Sequence, residues 1–220
     1  MLKRTVRALL PLVLTLVLAS PAWAQHRVTT PEEFFGHEIG ADYVLPNYTQ
    51  LHRYFITLAD ESDRMVLDTI GLTSEGRPQV MAIISSPENI RSLDHYREIA
   101  RRLAKAEGVS EAEAQRLSQE GKAIIWIDGG LHATEVLGAQ QLTELVYRMN
   151  DYTDPETMRI LDEVILLAVH ANPDGMELVS NWYMREPDPM QRSTGGVPVL
   201  YNKYAGHDNN RDFYMGALDE

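Results

Sequence analysis

Two short apolar runs with a helical stretch between them constrain the fold of this chain more than any other feature. Ala123-Ile124-Ile125-Trp126-Ile127 has no polar position, as expected of a strand covered on both faces. Leu142, Leu145, Val146 and Met149 then keep helical spacing and predict a helix over about 135–149 with those residues on its buried stripe. Asp154-Pro155 starts another helix, with an aspartate cap and a proline at the first helical position. A second buried strand follows at 164–169 and ends at the turn Asn172-Pro173-Asp174-Gly175. Strand, helix, strand at this spacing is a βαβ unit, and it predicts an α/β fold with a partly parallel sheet and helices on its faces.

Other elements fit around that unit. Leu51, Tyr54, Phe55 and Leu58 predict an amphipathic helix over 48–61. The β-rich runs 65–72 and 79–85 flank Thr73-Ser74-Glu75-Gly76-Arg77-Pro78 and read as a hairpin. Residues 87–121 are polar and charged. Leu93, Tyr96, Ile99 and Leu103 mark one helix there, and Ser110 with Glu113 forms a capping box for a second. This stretch reads as a helical insertion on the surface. After Asn181 the chain becomes loop-like, with Pro187, Pro189, Gly195, Gly196 and Pro198 close together.

Residues 1–24 read as a secretory signal. Lys3, Arg4 and Arg7 precede an apolar stretch too short to span a membrane, and Ala22-Trp23-Ala24 offers a cleavage site before Gln25. Cleavage would leave 196 residues with no membrane anchor and move the formal charge from −12 to −15. An acidic balance of that size argues against a nucleic-acid partner. The absence of cysteine excludes disulfides, thiol catalysis and cysteine-ligated zinc, and it fits an exported bacterial protein, periplasmic or secreted. Asn47-Tyr48-Thr49 matches a glycosylation sequon, which in a bacterial setting reads as a chance match.

The residues with chemistry begin directly after the first strand, at Gly129-Gly130-Leu131-His132-Ala133-Thr134-Glu135. A histidine and a glutamate three residues apart on a strand-to-helix corner can hold two positions of a zinc site. Glu135 is expected in the first helical turn, where the macrodipole favours its ionised form. The spacing alone is a weak signal, because surface pairs of this kind are common. His170 reads as a structural histidine, His207 as a loop-shaping one, and Trp126 and Trp182 as core and cleft-wall aromatics.

Taken together with their order, the motifs resemble the zinc metallocarboxypeptidases of the carboxypeptidase A type. The resemblance runs through the helix at 48–61, the strand pair around Ser74-Glu75-Gly76-Arg77-Pro78, and Ile125-Trp126-Ile127-Asp128-Gly129-Gly130-Leu131-His132. It continues through Asn172-Pro173-Asp174-Gly175 and Asp208-Asn209-Asn210-Arg211-Asp212. It is nearest to large exported bacterial members. It implies a carboxypeptidase-like α/β/α fold with a mixed, mainly parallel sheet, here truncated. The domain division expected is a signal peptide (1–24), a lead-in (25–40) and the amino-terminal part of a catalytic domain (41–220) carrying the insertion.

The resemblance further implies that His132 and Glu135 are two of three ligands to Zn2+. Asp208 would orient the histidine, Asn210 and Arg211 would receive the substrate's terminal carboxylate, and Arg185 would stabilise the oxyanion. Arg192 is a rival for that last role, because Met184 interrupts the family's aromatic-basic pattern. A zinc-activated water would then cleave the C-terminal bond of peptides or proteins. The third ligand and the general-base glutamate, which the family carries further downstream, have no counterpart before Glu220. The isolated chain is therefore expected to bind zinc poorly and to be inactive. Two alternatives stay open at this point: a related zinc amide hydrolase acting on peptidoglycan peptides or acyl-amino acids, and a non-catalytic carboxylate-binding module.

Overall fold

The computed structural model describes residues 27–200, 202–203, 206–214 and 216. The expected signal segment and its cleavage site lie outside the described residues. Helix α1 (Pro31–Phe35) is a single turn, closed by a reciprocal Thr30–Glu33 capping box. It lies in the lead-in, where the sequence predicts no element. Helix α2 (Tyr48–Glu61) matches its predicted bounds, and a second reciprocal box between Asn47 and Gln50 sets its start. Asn47 also donates to Asn181 at 2.9 Å, so the sequon asparagine is committed to holding two helices together.

Strands β1 (Met65–Leu72) and β2 (Pro78–Ile84) form the expected antiparallel hairpin, with a register irregularity at Ile70. Helices α3 (Pro87–Arg91), α4 (Leu93–Lys105) and α5 (Glu111–Glu120) occupy the stretch read from sequence as an insertion. The box predicted at Ser110 is half made, since the serine accepts from the Glu113 N–H. Strand β3 (Ala123–Gly129), helix α6 (Leu137–Asp151), helix α7 (Pro155–Glu163) and strand β4 (Val164–His170) form the βαβ unit. Helix α8 (Pro173–Met184) follows. Its start is the Asn172-Pro173-Asp174-Gly175 segment read from sequence as a turn: Asn172 caps the helix and Pro173 takes its first position.

The four strands make one mixed sheet in the order β1-β2-β4-β3, with β3 parallel to β4 and the other neighbours antiparallel. Helices lie on both faces, as expected. The main core fills one face, where Leu51, Tyr54, Phe55 and Leu58 of α2 and Leu142 and Val146 of α6 meet Val80, Ala82, Ile84, Leu166 and Ala168. On the other face Leu93 and Ala100 of α4 approach Met81, Ile83, Ile165 and Leu167 across an apolar groove of about 180 Å3.

The environment of β3 corrects the sequence reading. This strand is an edge of the sheet among the described residues, and Ile124, Ile125 and Trp126 are 45 %, 42 % and 53 % exposed. Trp126 is therefore not a core residue. Apolar side chains on both faces signal that a strand can be covered, but whether it is covered depends on its neighbours. A flat, apolar edge with unpaired backbone groups is a template for association. The 220-residue chain is expected to self-associate, and Trp126→Lys is expected to weaken that association at least about tenfold by sedimentation velocity. A parent chain that sediments as a monomer at all concentrations would refute this.

Candidate active site

The corner after β3 is built by close backbone packing. A Cβ on Gly129 would lie 2.6 Å from the Gly138 carbonyl oxygen, so only glycine lets the strand end touch the start of α6. Gly130 has φ +79°, in the left-handed region that favours glycine, and it turns the chain out of the sheet. Gly129→Ala is expected to cost about 2 kcal/mol through overpacking against rigid backbone. Urea titration measures it, and an unchanged midpoint would contradict the packing argument.

Leu131 is held next. Its carbonyl accepts from Asn172 Nδ2 at 3.1 Å and from Asn209 Nδ2 at 2.9 Å, joining the corner to the start of α8 and to the 209–214 turn. The sequence pattern assigns no site role to either asparagine. The N-cap position of Asn172 is the one local signal that points to it.

His132 to Glu135 then form a β-turn closed by the Glu135 N–H donating to the His132 carbonyl at 2.9 Å. The turn brings the two side chains together, with His132 Nδ1 3.2 Å from Glu135 Oε2. Glu135 precedes α6, contrary to its expected place in the first helical turn, and its side chain is 75 % exposed. The macrodipole argument therefore loses its geometric basis.

On the other side of the ring, His132 Nε2 lies 3.2 Å from Asp208 Oδ1, across 76 residues of sequence. Asp208 also accepts the Asn210 N–H at 3.0 Å. That backbone donor first, and His132 second, hold its carboxyl below the usual carboxylate range. In such a pairing Asp208 favours a proton on Nε2 and leaves the Nδ1 lone pair facing Glu135.

The histidine–glutamate pair suits a metal. A tetrahedral ion held at about 2.0–2.1 Å by a nitrogen and an oxygen places them about 3.3 Å apart, close to the 3.2 Å found between Nδ1 and Oε2. The donor set is incomplete, however: among the described residues no group of three or more histidine, cysteine or acidic side chains converges to hold a metal ion.

The remaining candidates are distributed unequally. Asn210 and Arg211 are exposed and lie two and three residues after Asp208, the residue that meets His132. Arg185 caps the end of α8, with its guanidinium 3.3 Å from the Trp182 ring centroid. Arg192 donates to the carbonyls of Glu186 at 2.8 Å and Tyr43 at 2.7 Å, so it pins the 186–192 loop to the segment before α2. His207 pairs with Asp212 at 2.7 Å and shapes its loop as expected.

Comparison with known proteins bears on the same residues. No curated protein sequence matches the chain. Among solved structures, a carboxypeptidase A from Helicoverpa armigera is 16 % identical with a TM-score of 0.43, matching 62 % of this chain and 26 % of its own. A metallo-carboxypeptidase from Burkholderia cenocepacia is 18 % identical with a TM-score of 0.41, matching 79 % of this chain and 40 % of its own. Bovine thrombin-activatable fibrinolysis inhibitor, solved with a tick carboxypeptidase inhibitor, is 16 % identical with a TM-score of 0.42, matching 68 % and 37 %. The chain thus spans well under half the length of each. The sequence profile described as zinc carboxypeptidase matches residues 51–218, most of the chain and all of the site described above, and the chain belongs to the zinc carboxypeptidase family.

Proposed function

We propose that this chain is the zinc-holding amino-terminal part of an exported metallocarboxypeptidase that removes residues from peptide or protein C-termini. The observation that carries the reading is the two-sided engagement of His132, with Nδ1 toward Glu135 and Nε2 toward Asp208. A carboxylate on the far nitrogen fixes the tautomer and raises the basicity of the ligating one. His132 and Glu135 would hold Zn2+, which when bound polarises the scissile carbonyl and activates water. Arg211, with Asn210, would receive the substrate's terminal carboxylate through a guanidinium fork and an amide donor. Arg185 would serve the oxyanion only if it left the Trp182 face, whereas Arg192 is already occupied by backbone carbonyls.

Two protein donors leave a catalytic zinc site unfinished. The third ligand and the general base are accordingly proposed to come from a segment of the enzyme downstream of Glu220. Export is supported by the basic-apolar-small pattern of residues 1–24.

The 220-residue chain is expected to retain little zinc after dialysis, and His132→Ala is expected to abolish what is retained. Metal analysis of both proteins measures this. Zinc retained equally by His132→Ala would remove the basis of the proposal. Tight, stoichiometric zinc lost in His132→Ala would instead mean that a third donor is already present.

A further inference from the structure

The end of β4 carries a side chain that the proposed metal site does not use. His170 is 1 % exposed, and its Nδ1 accepts the N–H of Asn172 at 3.2 Å. Burial pushes its pKa down to about 4, so the ring is neutral at neutral pH. A neutral imidazole whose Nδ1 accepts carries its proton on Nε2. That N–H has no hydrogen-bond partner among the described residues. It is aimed at the corner: a Cβ on Gly130 would lie 2.4 Å from His170 Nε2. Tyr48 packs on the ring at 5.6 Å between centroids, but its hydroxyl is committed to the Pro78 carbonyl. Buried donors in folded proteins are nearly always paired, with protein or with ordered water.

A cavity of about 10 Å3 lies at this place, lined by Gly130, His132, Glu135, Gln140, His170 and Ser180 among others. The volume is that of about one water molecule. Gln140 and Ser180 are buried, and with Glu135, which also lines the cavity, they offer the polar groups a trapped water needs. An apolar cavity of this size would stay dry, but one lined by a buried donor and several acceptors does not.

We propose that this cavity is a hydration site for one long-lived water that accepts the Nε2–H of His170, and that His170 through this water is a positioning residue for the corner carrying His132 and Glu135. The water can donate both of its protons to acceptors lining the cavity, which come from the corner, α6 and α8. One molecule then ties β4 to two of these three segments at the point where the chain leaves the sheet. The hydration site stands on burial and geometry alone, whereas its consequence for metal binding rests on the zinc reading above.

Nitrogen-15 NMR of the 220-residue chain at neutral pH tests the first part. The His170 ring is expected in the Nε2–H tautomer, with a slowly exchanging proton showing a cross-peak to a long-lived water. A proton on Nδ1, or a missing water cross-peak, overturns the proposal. Two variants test positioning. His170→Gln keeps an amide donor and is expected to keep the water and a zinc dissociation constant within about threefold of the parent, read from the His132 ring signals. His170→Leu is expected to lose the water and weaken zinc about tenfold, as loss of an outer partner does. Equal zinc binding by folded His170→Leu overturns the positioning role. If zinc leaves the His132 signals of the parent unmoved, the metal reading fails, while the tautomer and the water cross-peak still decide the hydration site.

Discussion

Asp174→Ala is expected to lower folding stability by about 3 kcal/mol, more than the glycine substitution at the corner. Asp174 is 3 % exposed and fully engaged. Its Oδ1 accepts from the Thr73 hydroxyl at 2.8 Å and from Arg77 Nη1 at 2.5 Å, and its Oδ2 accepts the Glu75 N–H at 2.9 Å. These bonds fasten the β1–β2 turn to the first turn of α8, about a hundred residues away. Removing the carboxylate leaves a hydroxyl and a backbone N–H without their acceptor and a partly buried guanidinium without its closer partner. Breaking a buried pair by removing one member costs about 3–5 kcal/mol. The lower end applies because Arg77 keeps Glu75 at 2.8 Å and is itself 29 % exposed. The ion pairs on α4 and α5, such as Arg101–Glu98 and Arg116–Glu113, lie in solvent and contribute far less each. Urea denaturation of both proteins measures the difference. A shift below about 0.5 kcal/mol, the ordinary range for surface substitutions, would rule out the fastening role.

Elements with strong local signals were legible in the sequence. The apolar positions of α2 locate that helix, with an Asn47 cap that the sequence reading did not use, and the hairpin and the βαβ unit follow from strand composition and turn chemistry. Misreadings arose where one local signal serves two structures. Asn-Pro-Asp-Gly is good turn chemistry and equally good helix-start chemistry, and Met176 and Val179 behind it, both buried, decide for α8. Glu135 falls outside α6 because the contact of Gly129 with Gly138 fixes where that helix can begin, and helical spacing carries no trace of this.

At the site, the His132–Glu135 pair could be read from spacing, because a four-residue turn joins its first and last residues. The approach of Asp208 across 76 residues could not, and only the resemblance suggested it. The surroundings of Arg185 and Arg192 were likewise closed to the sequence. The contact of Arg192 with the Tyr43 carbonyl spans 149 residues, and nothing in the local pattern announces it.

Acidification is expected to weaken the fold through His170, by about 2.5 kcal/mol between pH 7.5 and pH 4.5. The folded ring is held neutral by burial, with its pKa pushed down to about 4, whereas an unfolded histidine titrates near about 6.5. As pH falls below about 6.5, the unfolded chain takes up a proton that the folded chain refuses, so the equilibrium moves toward unfolding. The contribution is complete above that pH, is lost progressively down to about 4, and changes no further below it. No charged neighbour is needed for this behaviour, because desolvation alone depresses the pKa and Tyr48 presents its ring, with its hydroxyl turned to Pro78. Ordinary carboxylates begin to take up protons at the acid end of this window, so the parent curve alone does not isolate the histidine. The measurement is therefore a difference, with urea stabilities of the parent and of His170→Gln taken at several pH values. The glutamine does not titrate, and whatever the substitution costs at pH 7.5, the gap between the two curves is expected to move by about 2.5 kcal/mol in the variant's favour at pH 4.5. Parallel curves would mean that His170 is protonated in the folded protein as readily as in the unfolded one, and the burial argument would fail with them.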